Sequence, residues 1–169
     1  MEFIVPKEAE TTRLLLRQFQ NDDWRDLHAY YSDAEATAYT MGRALSEGET
    51  WRAMASMVGH WQLHGFGPYA AVEKATGTVV GTVGFWYPND WPELEIKWAL
   101  SPAYWGKGFA SEGARAVQQI AKASFPDKRL ISLISSENEP SCLLAQAVGA
   151  HLEKHIEFRD AQWAVYRHP

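Results

Sequence analysis

Apolar positions change their spacing several times along this chain of 169 residues, and each change predicts an element. Leu14, Leu15 and Leu16 lie between Arg13 and Arg17, with Phe19 just beyond, and read as a first strand; Asn21-Asp22 then supplies the N-cap of a helix through Tyr31. Ser46 with Glu49 is a capping box, after which Trp51, Met54, Val58 and Trp61 recur at helical spacing as far as Gly65. Tyr69 to Glu73 and Val79 to Trp86 are strand-like and flank Ala75-Thr76-Gly77, which predicts a hairpin. Beyond the turn Pro88 to Pro92, Leu94, Ile96, Trp98 and Leu100 alternate with Glu95, Lys97 and Ala99, completing an antiparallel meander.

After Pro102 the helical period returns. Ala110, Ala114, Val117, Ala121 and Phe125 share one stripe, which Pro126-Asp127 ends. Leu130 to Ser135 is a short apolar strand, and if it runs parallel to the strand before the helix the connection is a right-handed crossover. Asn138-Glu139-Pro140 opens a short helix closed by Gly149, and His151 to Phe158 with Trp163 to Arg167 form a last hairpin around Arg159-Asp160. The order β-α-α-β-β-β-α-β-α-β-β predicts one α+β domain over residues 1–169, with mixed strand directions and no linker or repeat.

A composition of 46% hydrophobic and 22% charged residues suits such a domain and excludes disorder and disulfide miniproteins. The net charge of −5 and the absence of a Lys/Arg run argue against a nucleic-acid partner. Cys142 stands alone, so no internal disulfide forms and a reducing compartment is expected. Residues Met1 to Glu10 carry Pro6 and three acids where a signal peptide needs an apolar stretch, and no apolar run reaches membrane-spanning length. The expectation is a cytoplasmic protein without a membrane partner.

The segment Leu100-Ser-Pro-Ala-Tyr-Trp105-Gly106-Lys107-Gly108-Phe109-Ala110 puts two glycines between a strand end and a helix start. Glycines there let a ligand approach the backbone and leave first-turn amides pointing outward, where the helix dipole favours an anion such as phosphate. Ser or Thr does not follow Gly-Lys as in a P-loop, and Ser111 stands where the dinucleotide fingerprint has its third Gly.

The run from Glu95 through Pro102 to Ala114 resembles the acetyl-coenzyme A core of the GNAT acetyltransferase superfamily. Gly108 and Ala110 match its Gln/Arg-x-x-Gly-x-Gly/Ala signature, and Trp105 replaces the first residue. That replacement, Thr12-Arg13-Leu14-Leu15-Leu16-Arg17, and Asn138-Glu-Pro-Ser141 with Gly149 resemble the branch of ribosomal-protein N-terminal alanine/serine acetyltransferases; Ala150 stands where that branch has Phe. The resemblance implies a GNAT-like fold: a mixed sheet of about seven strands and about four helices. It also implies that a bulge splays the fourth strand (Leu94 to Leu100) from the fifth (Leu130 to Ser135), opening a slot for the thioester. Coenzyme A pyrophosphate would then sit on the amides of Gly106, Lys107, Gly108, Phe109 and Ala110 beside Trp105, and pantetheine would pair with the strand edge at Trp98, Ala99 and Leu100. Lys107 is either a phosphate contact or a surface residue, and Asn138 is either an N-cap or a pantetheine partner. No metal is implied.

Acetyl transfer to an amine needs a base for the amine and an acid for the leaving thiolate. Glu95 is the first base candidate, beside the slot; Glu93, Asp160 and Glu157 are weaker ones. The wider superfamily places an acidic Tyr where Ala145 stands, and Ser141 matches the branch's alternative. Cys142 with His151 or His155 has no motif to fix a hydrolase geometry, and His60 and His64 read as surface residues of the second helix. The aromatic surplus of eight Trp, seven Tyr and seven Phe is uneven. Trp86, Trp91, Trp98 and Trp105 crowd the slot region, and Trp86 and Trp91 are expected to wall the acceptor site. The expected function is transfer of acetyl from acetyl-CoA to a primary amine, either a protein N-terminus or a small molecule, by a monomer or homodimer. The rival readings are a non-catalytic acyl-CoA sensor and a protein-interaction module on the same fold.

Overall fold

The computed structural model describes residues 2–169. A short polar strand β1 (Glu8–Glu10) precedes the leucine run β2 (Leu14–Arg17), in which Leu14 and Leu16 are buried and Leu15 and Arg17 only half so, the alternation of a strand with one core face. A single 3₁₀ turn, Asn21–Asp23, leads into α1 (Trp24–Tyr31), and α2 (Glu47–His64) follows. The meander is β3 (Pro68–Glu73), β4 (Val79–Trp86) and β5 (Glu95–Leu100). The helix after it is α3 (Phe109–Ser124), then β6 (Ile131–Ser135), α4 (Glu139–Ala147), β7 (His151–Phe158) and β8 (Ala161–Arg167).

All eight strands join one sheet in the order β1-β2-β3-β4-β5-β6-β8-β7. The eighth strand, one more than the sequence predicts, is β1; Glu8 to Glu10 carry no apolar pattern, and only pairing with β2 makes them a strand. Phe19 falls outside β2, and Gln20 rather than Asn21 caps the turn before α1, because Asp23 closes the box by accepting from the Gln20 amide at 2.7 Å. The capping box of Ser46 and Glu49 and the left-handed Gly65 bound α2 as expected.

Helix α3 covers one face of the sheet with Leu16, Val80, Ile96 and Leu100, while α1 and α2 cover the other with Ala70, Val72 and Ala99. Because side chains alternate along a strand, Glu95 and Lys97 share the α1–α2 face with Ala99. His60 departs from the surface role expected of it. It is buried, donates from Nδ1 to the Phe66 carbonyl, accepts at Nε2 from the Tyr87 amide and stacks on Trp86. Both ring nitrogens are used, so the imidazole is fixed in its neutral form, and burial lowers its pKa.

Candidate active site

Strands β5 and β6 run parallel but pair at one point, Glu95 with Ile131, where the Ile131 amide donates to the Leu94 carbonyl at 3.1 Å. The next ladder bond would join the Leu133 amide to the Ile96 carbonyl. Side chains replace both halves of it. The Leu133 amide donates to Glu95 Oε1 at 3.1 Å, and the Ile96 carbonyl accepts from Ser132 Oγ at 2.6 Å. From there the strands diverge. The expected splay is present, but the expected bulge is not: β4 and β5 pair without a shift from Gly81–Leu100 to Trp86–Glu95. Beyond the fork the alternation leaves the backbone of Trp98 and Leu100 facing the gap, with the Leu100 carbonyl accepting from Trp105 Nε1 at 2.7 Å.

Ser132 itself is held by His168. Since the Ser132 hydrogen goes to Ile96, His168 Nε2 donates to Ser132 Oγ at 2.8 Å and Nδ1 accepts from Gln118 Nε2 at 2.9 Å. Burial lowers the His168 pKa to about 4, so this tautomer stays neutral.

The gap opens into a cavity of about 720 Å³ on the α1–α2 face. Glu95 forms its floor. It is buried, accepts from Trp91 Nε1 at 2.6 Å, and has its pKa raised to about 7 by burial, against a lowering pull from Lys97. Trp86, Trp91, Trp98 and Ala99 line the cavity, and so do Asn138 and Ser141 from the start of α4. Asn138 caps that helix, its Oδ1 accepting from the Ser141 amide at 3.4 Å. Ser141 Oγ accepts from Trp98 Nε1 at 3.4 Å, which leaves its own hydrogen free to donate. Ala145 is fully buried.

At the far end of β5, Gly106 and Gly108 both take positive φ, 70° and 81°, and α3 begins at Gly108 with no side chain capping it. Arg13 lies across this turn. Its guanidinium stacks on Phe109 at 4.1 Å, donates to the Lys107 carbonyl at 2.9 Å and pairs with Glu112 at 2.7 Å, while Glu112 also accepts from the Arg13 amide and the Thr11 hydroxyl. The uncapped amides of α3, the open face of Gly106, where an added Cβ would meet nothing within 4 Å, and the nearby guanidinium fit an anionic pyrophosphate. Lys107 lies over the ring of Tyr104, and Trp105 is 46% exposed.

Other expected residues are not brought to the cavity. Glu93 precedes β5 and is held by Arg167 at 2.6 Å, which lowers its pKa and keeps it ionised. Asp160 and Glu157 are exposed on the last hairpin, which instead lends Phe158, Arg159 and Trp163 to the cavity wall. Cys142 Sγ contacts the Ser135 carbonyl at 3.9 Å, and His151 and His155 are exposed on β7, so no Cys/His pair forms. Among the described residues no cluster of three His, Cys, Asp or Glu could hold a metal, and no helix is long and apolar enough to cross a membrane. Lys97, Tyr30, Tyr31 and the segment 38–42 also line the cavity and were not singled out by sequence; for Lys97 the signal was its place two residues after Glu95 on one strand face.

A model of the acetyltransferase (GNAT) domain matches residues 13–151. The chain belongs to the GNAT acetyltransferase family. It is 30% identical over 145 residues to an uncharacterized N-acetyltransferase of Bacillus licheniformis, covering 85% of this chain and 82% of that protein. An acetyltransferase of Agrobacterium tumefaciens superposes with a TM-score of 0.85 at 25% identity, over 100% of this chain and 97% of that one. A ribosomal L7/L12 α-N-protein acetyltransferase solved with coenzyme A has a TM-score of 0.73 at 15% identity, over 96% of both chains, a likeness of fold. The family match ends at His151, so most of the hairpin that walls the cavity lies outside it.

Proposed function

We propose that this GNAT acetyltransferase moves an acetyl group from acetyl-CoA directly to a primary amine held in the cavity, with Glu95 as base and Ser141 as acid. The observation that carries the reading is the position of Glu95: a buried carboxylate with a pKa raised to about 7, at the fork of β5 and β6 and on the floor of the cavity that the gap opens into. A base of that pKa is half ionised near neutrality and accepts a proton without being trapped by it.

In this reading the pyrophosphate of acetyl-CoA rests on the α3 amides near Gly106 to Ala110, and its pantetheine pairs with the Trp98–Leu100 edge. The amine nitrogen forms a bond to the thioester carbonyl carbon, its proton goes to Glu95, and the C–S bond breaks. The sulfur leaves as the free thiol, with a proton delivered through the Ser141 hydroxyl. Asn138 supports Ser141 by capping α4. Developing charge on the carbonyl oxygen requires one backbone donor, which the Trp98 amide at the gap supplies.

Calorimetric titration with acetyl-CoA and thiol release in the presence of an amine test this directly. Micromolar binding with amine-dependent thiol release, lost in Glu95→Gln, is expected; absence of acetyl-CoA binding overturns the reading.

A further inference from the structure

Lys97 stands two residues after Glu95 on the same strand face, about 6.6 Å along β5. Its side chain enters the same cavity and its ammonium lies 4.7 Å above the ring of Trp86. Arg159, the other cation of the cavity wall, is matched by Asp90 at 2.6 Å. Lys97 has no such match: among the described residues it makes no hydrogen bond or ion pair, and only the charge of Glu95 two positions away favours its protonated form against burial. A half-buried ammonium without a hydrogen-bond partner is stabilised when an anion joins it in the cavity. The coenzyme does not supply that anion, since its phosphates belong at the N-terminus of α3, past the end of β5 and on the opposite face of the sheet.

We propose that Lys97 anchors a carboxylate of the acceptor, and that the acceptor is a free amino acid with an aromatic or large apolar side chain. This rests on the reading of Glu95 as base. A free amino acid carries its ammonium and carboxylate on one carbon, and two side chains spaced as Glu95 and Lys97 are can take one each. Its side chain then meets the rings of Tyr30, Trp86, Trp91 and Trp163. A peptide N-terminus offers no carboxylate there, and a polyamine would set a second positive charge against Lys97. Part of this wall, Phe158 to Trp163, lies beyond the residues that the family model matches.

The test compares thiol release with L-phenylalanine, L-leucine, phenethylamine and L-phenylalanine amide, together with acetyl-CoA binding. The expected result is a kcat/KM for one of the two acids about ten- to a hundredfold above the amine and the amide, the range one charge-assisted hydrogen bond supplies. The amide is the less basic amine, so ease of deprotonation works against that order. In Lys97→Met the acid-to-amine ratio falls toward one; loss of Lys97 also shifts Glu95, but alike for every acceptor, so the ratio isolates the anchor. A measurement needing neither turnover nor a variant is product binding, with N-acetyl-L-phenylalanine held more tightly than N-acetylphenethylamine. Equal use of acids and their uncharged counterparts, or an unchanged ratio in Lys97→Met, overturns the proposal. Binding of acetyl-CoA without thiol release by any of the four amines overturns it while leaving the acetyltransferase reading in place. Failure of acetyl-CoA to bind overturns both.

Discussion

The carboxylate of Glu95 accepts the amide hydrogen of Leu133 at 3.1 Å, at the point where β5 and β6 stop pairing. One side chain therefore holds the slot open and forms the cavity floor.

Replacement of Glu95 by Gln keeps an acceptor for Leu133 but removes the proton acceptor. The kcat/KM of acetyl transfer should fall by about 10²–10⁴, with the acetyl-CoA Kd nearly unchanged. In the parent protein kcat/KM should rise through about pH 7 as Glu95 ionises, and steady-state profiles of the Gln variant should lack that limb. A limb that persists in the variant assigns the base elsewhere.

Stability carries the same signature with a definite sign. Glu95 titrates at about 7 in the folded chain against 4.5 for an ordinary Glu, so the folded state holds this proton more firmly and loses stability as pH rises from 4.5 to 7. The loss is about 3 kcal/mol for a shift of this size. Melting curves should therefore show Glu95→Gln gaining on the parent by roughly 6–12 °C between pH 5 and pH 8. A difference that stays flat over that range is incompatible with a buried, protonatable Glu95.

The chain from Gln118 through His168 and Ser132 to the Ile96 carbonyl makes a second test. Ser132→Ala leaves the carbonyl and the His168 Nε2–H without partners, at a cost of about 1–3 kcal/mol. His168 has a folded pKa of about 4, below the ordinary 6.5, so its contribution is full above 6.5 and is lost as pH falls toward 4. Acid titration followed by circular dichroism should show His168→Gln less sensitive than the parent in that window.

Gly106 and Gly108 test the proposed coenzyme turn through ligand contact and backbone strain together. Both have left-handed φ, so a β-branched residue at either position costs about 1–2 kcal/mol. At Gly108 an added Cβ also comes 3.3 Å from Arg13 Nη2, which must give way by a few tenths of an ångström. Gly108→Val should weaken acetyl-CoA by about tenfold or more in calorimetry. Gly106→Ala puts a methyl on the open face that the pyrophosphate would occupy, and should weaken binding as well as lower the melting temperature. Kd values unchanged from the parent's in both variants would remove this turn from coenzyme binding.

Most elements were legible because local signals agreed with the tertiary outcome: the Ser46–Glu49 box, the Gly65 stop, the alternation from Leu94 to Leu100. The two-glycine turn before α3 was legible for the same reason, since its glycines and its helix are neighbours in sequence. Strand β1 escaped notice because polar residues paired on a sheet edge have no pattern of their own. The cause of the splay was hidden as well: it lies in side chains of Glu95 and Ser132 capturing ladder groups 38 and 36 residues away. His60 looked like a surface residue because helical spacing cannot show that the loop from Phe66 and the end of β4 close over it. Glu93 and Asp160 shared the chemistry of Glu95, and only the fold decides which carboxylate meets a cavity and which meets Arg167 or water.

The bonds from Arg13 to Glu112 and Lys107 tie together segments up to 99 residues apart. The whole acetyl-CoA signature lies between Glu95 and Gly149, yet a fragment of that span lacks the guanidinium that braces the turn. Closing so long a span costs chain entropy that local contacts do not. In the proposed reading, coenzyme binding therefore depends on a chain that has joined its first strands to α3.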